Sequence, residues 1–572
     1  MMRPSGFLRR RLRRHPGRHG ATLAAVLLAW LATLAAPFLL RPEQADFARQ
    51  ADRRLVILTP HNERVRHEIG QAFVADWKAR TGETVYLDWR IPGGSSEIIL
   101  FLTSEFAGAF QYYWQSVTQH PWTRAIAAGF ADPRTPPSAA ADSETGAISD
   151  ARRAFLASNL GIGVDLLFGG GAQDVRQLAE AGYLVAGDAA AGTGLAAIER
   201  WHPDWFGPAV IPLQVSGEPF RDPAQRWCGV VLASFGIVSN TDALARLGLG
   251  QAPAQWSALT EPRLAGQLAL ADPSKSGSVA KAFELMIQQQ MRQAVDRLTA
   301  VRPDQVQAEA EGVRQGWLAG LRLIQSISAN ARYFTDSASK IPQEVARGDA
   351  AAGMAIDSYG RTMAEAVRRP DGRSRVQFRV PEGGSSVSVD PVAMLRGAPD
   401  PILATAFMEF LLSPRGQTLW ALSPGTPGGP QTTALRRWPV RRDFYTTANR
   451  PYMTDPEEQP YALAERFAYQ PVWTGPLFGA LRFLIRVICV DLHEEQRAAW
   501  RAIIDAGAPP PALAAFHDLS GLDYDTVRAR IAPVLQGKDK AQEIRLAREL
   551  GEVFRARYRR ARQLAEAAGG RT

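Results

Sequence analysis

Cysteine is nearly missing from this chain. Cys228 and Cys489 are the two among 572 residues, too few for the disulfide framework of a small secreted scaffold, and neither sits in a metal-ligand spacing. They admit one disulfide in an oxidising compartment or two buried thiols. Charge of one sign is missing too. The net charge is +9, but residues 1–20 hold seven arginines and no acid, which leaves +2 for everything after them. Composition therefore gives no argument for a nucleic-acid partner. The triplet Gly169-Gly170-Gly171 matches neither a dinucleotide-binding nor a Walker pattern. What remains is globular in character: 46% hydrophobic and 22% charged residues give material for large cores and more than one domain.

The basic residues 1–20 precede Ala21–Leu40, an uncharged stretch long enough to cross a membrane as a helix. The positive-inside rule keeps the basic flank in the cytoplasm and puts the rest outside. No A-x-A pattern lies in or just after the stretch, and Ala35-Ala36 is followed by Pro37, an awkward residue after a cleavage point. These features favour an uncleaved anchor over a removed signal, with the main domain periplasmic or extracellular.

Several apolar runs end in polar, glycine-containing loops that lead into helical periodicity. Leu268–Ala271 ends at Asp272-Pro273, and Ser274–Ser278 follow. Val279, Ala282, Phe283, Met286 and Ile287 then repeat at half-buried helical spacing. In such a unit the free N–H groups of the first helical turn face whatever lies beyond the strand's carboxyl end, and they favour negative charge. Ser276, Gly277 and Ser278 read as the docking point of an oxygen-rich ligand, or as a plain helix cap.

Taken in order, Leu55–Leu58 ends in Thr59-Pro60-His61-Asn62. A helix carrying Ile69, Phe73 and Trp77 stops at Gly82, and Val85–Trp89 ends in Pro92–Glu97, so the start of the chain has a βαβ pattern with a parallel sheet. Residues 101–160 read as an insertion: aromatics at Phe106, Phe110, Tyr113 and Trp114, then a flexible Pro/Ala/Ser/Asp-rich stretch over 131–150. Tyr112-Tyr113 could ligate a metal, although the spacing better fits a packing stripe. Val164–Phe168 ends in the glycine triplet. Val230–Val238 reads as a crossing between two lobes, Ala351–Ile356 ends in Asp357–Arg361, and Ser386–Leu395 reads as the return crossing. Beyond residue 430 arginine-rich helices are expected. Leu477–Leu492 carries Arg482 and Arg486 on one face, so it reads as a packed or interfacial helix rather than a second span. The last helix has Leu546, Leu550, Phe554 and Tyr558 on one stripe and five arginines from Arg555 to Arg562, a solvated face or a contact for an acidic partner or headgroup.

Asp165–Gly171, Gly236–Asp242, Ala271–Ser278, Gly353–Tyr359 and Phe407–Gln417, in this order over roughly residues 53–425, resemble the extracellular solute-binding proteins of ABC importers, in the ferric-iron and related group of type II periplasmic binding proteins. The resemblance implies an α/β fold of two lobes with two hinge crossings. Residues 53–235 and 390–430 would form lobe 1 and residues 236–389 lobe 2, with the N-terminal transmembrane helix before them and a helical extension over 431–572 after them. It implies a non-enzymatic binder that delivers a small-molecule or metal solute to a permease.

The cleft would be lined by His61, Asn62, Ser95, Ser96, Gly170, Gly171, Ser276, Gly277, Ser278, Asp357 and Tyr359, where open α/β sheets bind ligands. Tyr359, His61 and Asp357 could supply hard donors to ferric iron, whereas the serine loops suit a small organic anion. Iron-binding members commonly carry two adjacent tyrosines in the loop that resembles Asp357–Gly360, and here Gly360 takes the second position. A sensing module signalling to a membrane partner is the alternative, and an enzyme using Cys228 as nucleophile is a more distant one, since no histidine lies near it in sequence.

Overall fold

A computed structural model of the chain describes residues 25–34, 50–136, 144–537 and 539–570. Its strands are β1 (Arg53–Leu58), β2 (Val85–Arg90), β3 (Leu166–Phe168), β4 (Leu184–Val185), β5 (Gln214–Val215), β6 (Glu218–Pro219) and β7 (Cys228–Asn240). They continue with β8 (Leu268–Ala271), β9 (Ala331–Thr335), β10 (Ala352–Ile356), β11 (Val376–Arg379), β12 (Val387–Leu395) and β13 (Trp438–Pro439). Eleven of them form one mixed sheet in the order β2-β1-β3-β12-β7-β10-β8-β9, with β4, β11 and β13 on its margins. The parallel pairs β1·β2, β1·β3, β8·β10 and β8·β9 are the products of helical crossovers.

The apolar run read as a crossing is β7. All thirteen of its residues are buried; its first half pairs with β12 and its second half with β10 and β11. Each half of the sheet has its own core. One holds Phe73, Phe106, Phe168 and Phe407, and the other holds Trp256, Phe283 and Trp317. The return crossing is the segment between β11 and β12, ahead of most of the run expected to form it.

Residues 101–160 belong to the first core rather than standing apart from it. Phe106 and Phe110 of the helix Ser95–Tyr112 pack with Phe155 of the helix Glu144–Ala157, and Phe106 stacks on Tyr183 with centroids 4.6 Å apart. Tyr112 is exposed, so the buried stripe is Phe106, Phe110 and Trp114. Part of the stretch expected to be a flexible loop, from Glu144, is helical; residues 137–143 lie outside the described ones.

The extension after 430 differs from the helical appendage expected. Its first part is irregular and adds β13 to the edge of β7. Its helices from Pro471 onward bury Leu484, Ile488, Phe516, Phe554 and Tyr558 in the second core. The apolar helical stretch Pro471–Val490 is long enough to cross a membrane, but 72% of its apolar window is buried inside the protein, which makes it a core element. Near the N-terminus the described helix Ala25–Leu34 is shorter than a span; the remainder of 21–40 lies outside the described residues.

A buried ion-pair network ties the extension to both halves. Lys281 Nζ lies 2.9 Å from Glu218 in β6 and 3.0 Å from Glu284, 3.4 Å from the centroid of the Tyr469 ring. Glu284 also accepts hydrogen bonds from the Tyr469 and Thr474 hydroxyls at 2.8 and 2.6 Å. Removing one member of a buried pair leaves an uncompensated charge. Lys281→Met is therefore expected to cost about 3–5 kcal/mol in urea unfolding; a cost within the ordinary error of such a titration would mean that the two carboxylates do not depend on this cation.

Candidate functional site

Loops at the carboxyl ends of strands from both halves face each other across a cleft of about 720 Å³. After β1 come His61 and Asn62, after β2 Ser95, and after β3 Gly170. From the other half come Ser276–Ser278 after β8, Ser337–Lys340 after β9 and Tyr359 after β10. Several helices begin here. Asn62 Oδ1 caps the helix Glu63–Thr81 by accepting from Val65 N at 3.2 Å, and Ser276 Oγ accepts from Val279 N at 3.4 Å. The helices Ser95–Tyr112 and Asp357–Ala366 start without a side-chain cap, so their first N–H groups are available to an acceptor in the cleft; Ile341–Arg347 also lacks one, but Pro342 has no N–H and Gln343 N already donates to Lys340 O at 3.1 Å.

The charges add to this field. Arg437 is buried and pairs with Asp390 at 2.6 Å, and Lys340 pairs with Asp336 at 2.6 Å. Arg66 and Lys275, also on the cleft wall, form no ion pair among the described residues, and the carboxylate set against them there is Glu97. The surplus is positive. Such a wall attracts anions and opposes a trivalent cation.

His61 contributes no charge. Burial, then Arg437, then Arg66 hold its pKa well below the usual imidazole range, and its ring lies edge-on to Phe168 at 4.5 Å. Its Nε2 has no hydrogen-bond partner among the described residues. The backbone turns past it at Gly169, with φ +98°, where a Cβ would fall 2.7 Å from that nitrogen; only glycine combines this conformation with this approach. Burial raises the Tyr359 phenol above its ordinary value, partly offset by Arg437.

Three of the residues expected at the site are placed elsewhere. Asp357 is fully buried: it accepts from Ser234 N at 3.1 Å and from Arg361 Nη2 at 2.5 Å, so its oxygens are turned into the hinge and the metal set of Tyr359, His61 and Asp357 is not brought together. Among the described residues no three His, Cys, Asp or Glu side chains gather as a metal site. Ser96 Oγ is taken by Arg482 Nη2 at 2.5 Å. Gly171 lines a smaller adjoining cavity of about 60 Å³, beside Asp174 and Lys281. Cys228 and Cys489 are free and buried. Burial pushes the Cys228 thiol up to about 12, and it donates to Gly229 O at 3.4 Å, the environment of an inert structural thiol.

Arg66, Lys275, Lys340, Asp390 and Arg437 were not expected from the sequence. Arg66 lies one helical turn beyond Asn62, and Lys275 stands inside a loop already singled out, so both carried a signal. Arg437 lies past the compositional break at 430 and carried none.

Residues 208–441 match the family model described as Bacterial extracellular solute-binding protein, in line with the motif resemblance. Among curated proteins it is 27% identical over 208 residues to an uncharacterized protein of Haemophilus influenzae, covering 35% of this chain and 51% of that one. It is 27% identical over 192 residues to the phosphoglycerate transport regulatory protein PgtC of Salmonella typhimurium, covering 34% and 40%. The chain thus spans about half or less of these relatives' own length. Among solved structures, the fructose-6-phosphate-bound periplasmic binding protein AfuA of Actinobacillus pleuropneumoniae matches at 17% identity and TM-score 0.40, over 65% of this chain and 82% of that one. Iron-bound HitA of Pseudomonas aeruginosa matches at 14% identity and TM-score 0.42, over 75% and 98%.

Two outcomes are expected. A histidine whose folded pKa is depressed binds its proton more readily in the unfolded chain, so stability falls as pH drops below the unfolded value near 6.5. His61, His493 and His517, the last pushed down to about 4, are all lowered mainly by burial. Unfolding free energy should therefore decline by up to about 1.4 kcal/mol per pH unit per group between pH ~6.5 and ~5, and His61→Gln should remove one share of that slope; an unchanged slope would place His61 in solvent. The second concerns Arg482, which donates to Ser96 Oγ in the first half and to Pro273 O and Ser274 O, both at 2.9 Å, in the second. Arg482→Ala should shift the ligand-free protein about tenfold or more toward an open form, seen as a larger radius of gyration in solution scattering. An identical scattering curve would make the bridge inert.

Proposed function

We propose that this protein captures a small organic anion between its two lobes and hands it to the permease of an ABC importer. The observation that carries the reading is the convergence of two helix N-termini lacking side-chain caps with Arg66, Lys275, Lys340 and Arg437 on one cleft. Backbone N–H groups and guanidinium forks are the standard means of holding phosphate or carboxylate oxygens. Ferric iron as cargo is the weaker choice, because Asp357 is engaged in the hinge and the cleft's surplus charge is positive. The name of the Salmonella relative makes phosphorylated carboxylates sensible first ligands to try.

Residues 21–40 would hold the protein in the cytoplasmic membrane with residues 41–572 outside. A salt wash should leave the full-length chain in the membrane fraction, and release of a shortened species by osmotic shock would sink this part. A second reading, a ligand sensor acting on a membrane partner, is favoured by the helices added to the second core and by the word "regulatory" in the relative's name. Cross-linking in membranes that recovers a receptor instead of a permease would decide for it.

Mass spectrometry of ligand carried through purification identifies the anion. With that anion in a calorimetric titration, Tyr359→Phe should cost roughly 1–3 kcal/mol, about a tenfold to hundredfold loss. Arg66→Ala should weaken binding at least as much, since its hydrogen bonds are charge-assisted. Full affinity in both variants would put the ligand elsewhere.

A further inference from the structure

The cleft does not end at Tyr359. A second chamber of about 370 Å³ adjoins it, and the two share His61, Asn62, Ser339, Tyr359 and Arg437 as lining residues, so these five form a waist between connected spaces. The chambers differ in chemistry. Arg66, Lys275, Lys340 and the first turn of the helix Ser95–Tyr112 line only the first. The second is walled by Val65, Pro342, Met363 and Leu435, with Glu63 and Arg64 exposed at its rim. Within that wall Ser358 Oγ is buried and has no hydrogen-bond partner among the described residues. A buried hydroxyl without a partner is costly unless something supplies one.

Resting on the anion-binding reading above, we propose that the solute is bipartite: its anionic head occupies the first chamber, and an uncharged, partly apolar tail passes the waist into the second, where Ser358 offers a hydroxyl to it. Arg437 faces both chambers and is fixed by Asp390, so it marks where head meets tail. At about 30 Å³ for a water-sized group, the second chamber has room for roughly ten heavy atoms. A solute that is all charge, such as inorganic phosphate, would leave this space without a partner. It should bind more weakly than its monoesters.

The test uses the full chain and calorimetric titration with inorganic phosphate, then methyl, butyl and hexyl phosphate, and in parallel acetate through hexanoate. Affinity should rise about two- to fourfold per added methylene in at least one series. Met363→Trp, which fills the second chamber, should bring the hexyl ligand down to the affinity of the methyl one and leave inorganic phosphate or acetate unchanged. Ala434→Leu serves as a second, smaller obstruction should the tryptophan variant melt early. Flat affinity along both series, or an equal loss for short and long ligands in the blocked variants, overturns the bipartite solute while the anion reading stands. Failure of every anion to bind overturns both.

Discussion

Strand β7 hydrogen-bonds to β12 along its first half and to β10 and β11 along its second, and the change of partner falls at Ser234 and Phe235. At that point side chains complete the bonding. Ser234 N donates to Asp357 Oδ1, and Phe235 N donates to Ser385 Oγ, each at 3.1 Å. A buried strand must find an acceptor for every N–H, and here the acceptors come from the start of a helix in one half and from the return segment. Any rotation of one half against the other strains these two bonds, so the strand that joins the lobes also sets how far they can turn.

The same strand fixes the chemistry of the cleft. β13 docks on β7 at Leu232 and Val231, which delivers Arg437 to the cleft wall opposite Asp390, while the carboxyl ends of the neighbouring strands deliver the helix N-termini. A buried guanidinium is tolerated because Asp390 is 2.6 Å away. His61, between Arg66 and Arg437, is held neutral and does not add to the repulsion among the cations. The outcome is a positive field built from backbone dipoles, the anchored Arg437, and Arg66 and Lys275, which form no ion pair among the described residues.

Much of this was written in local patterns. The run from Val230 to Val238 is continuous because β7 is buried on both faces, and the polar loops after β1, β2, β3, β8 and β10 were recognisable as strand ends. Asp357 was misplaced for a physical reason: a carboxylate following a strand looks the same in sequence whether it faces solvent or bonds a distant backbone N–H, and Ser234 lies 123 positions away. Arg437 reaches the cleft through the pairing of β13 with the distant β7, and the packing of residues 471–569 likewise depends on partners far away in sequence. The aromatics from Phe106 to Trp114 looked like part of an insertion because the partners of Phe106, Phe155 and Tyr183, lie well beyond that run in sequence.

The extension changes what closure can mean. Its helices share one apolar core with β8 and the helix Gly277–Thr299, so they are packed as part of the second half. From there Arg482 reaches Ser96 in the first half, next to the uncapped helix start at Ser95 that lines the cleft. A ligand shifts an equilibrium between open and closed forms only by its differential affinity for them. Contacts that already join the two halves without ligand reduce the shift that any ligand must supply, so on the proposed reading weaker anions could hold the cleft shut. The same contacts must break for release, so the residues beyond 471 bear on how long a solute stays as much as on how tightly it binds.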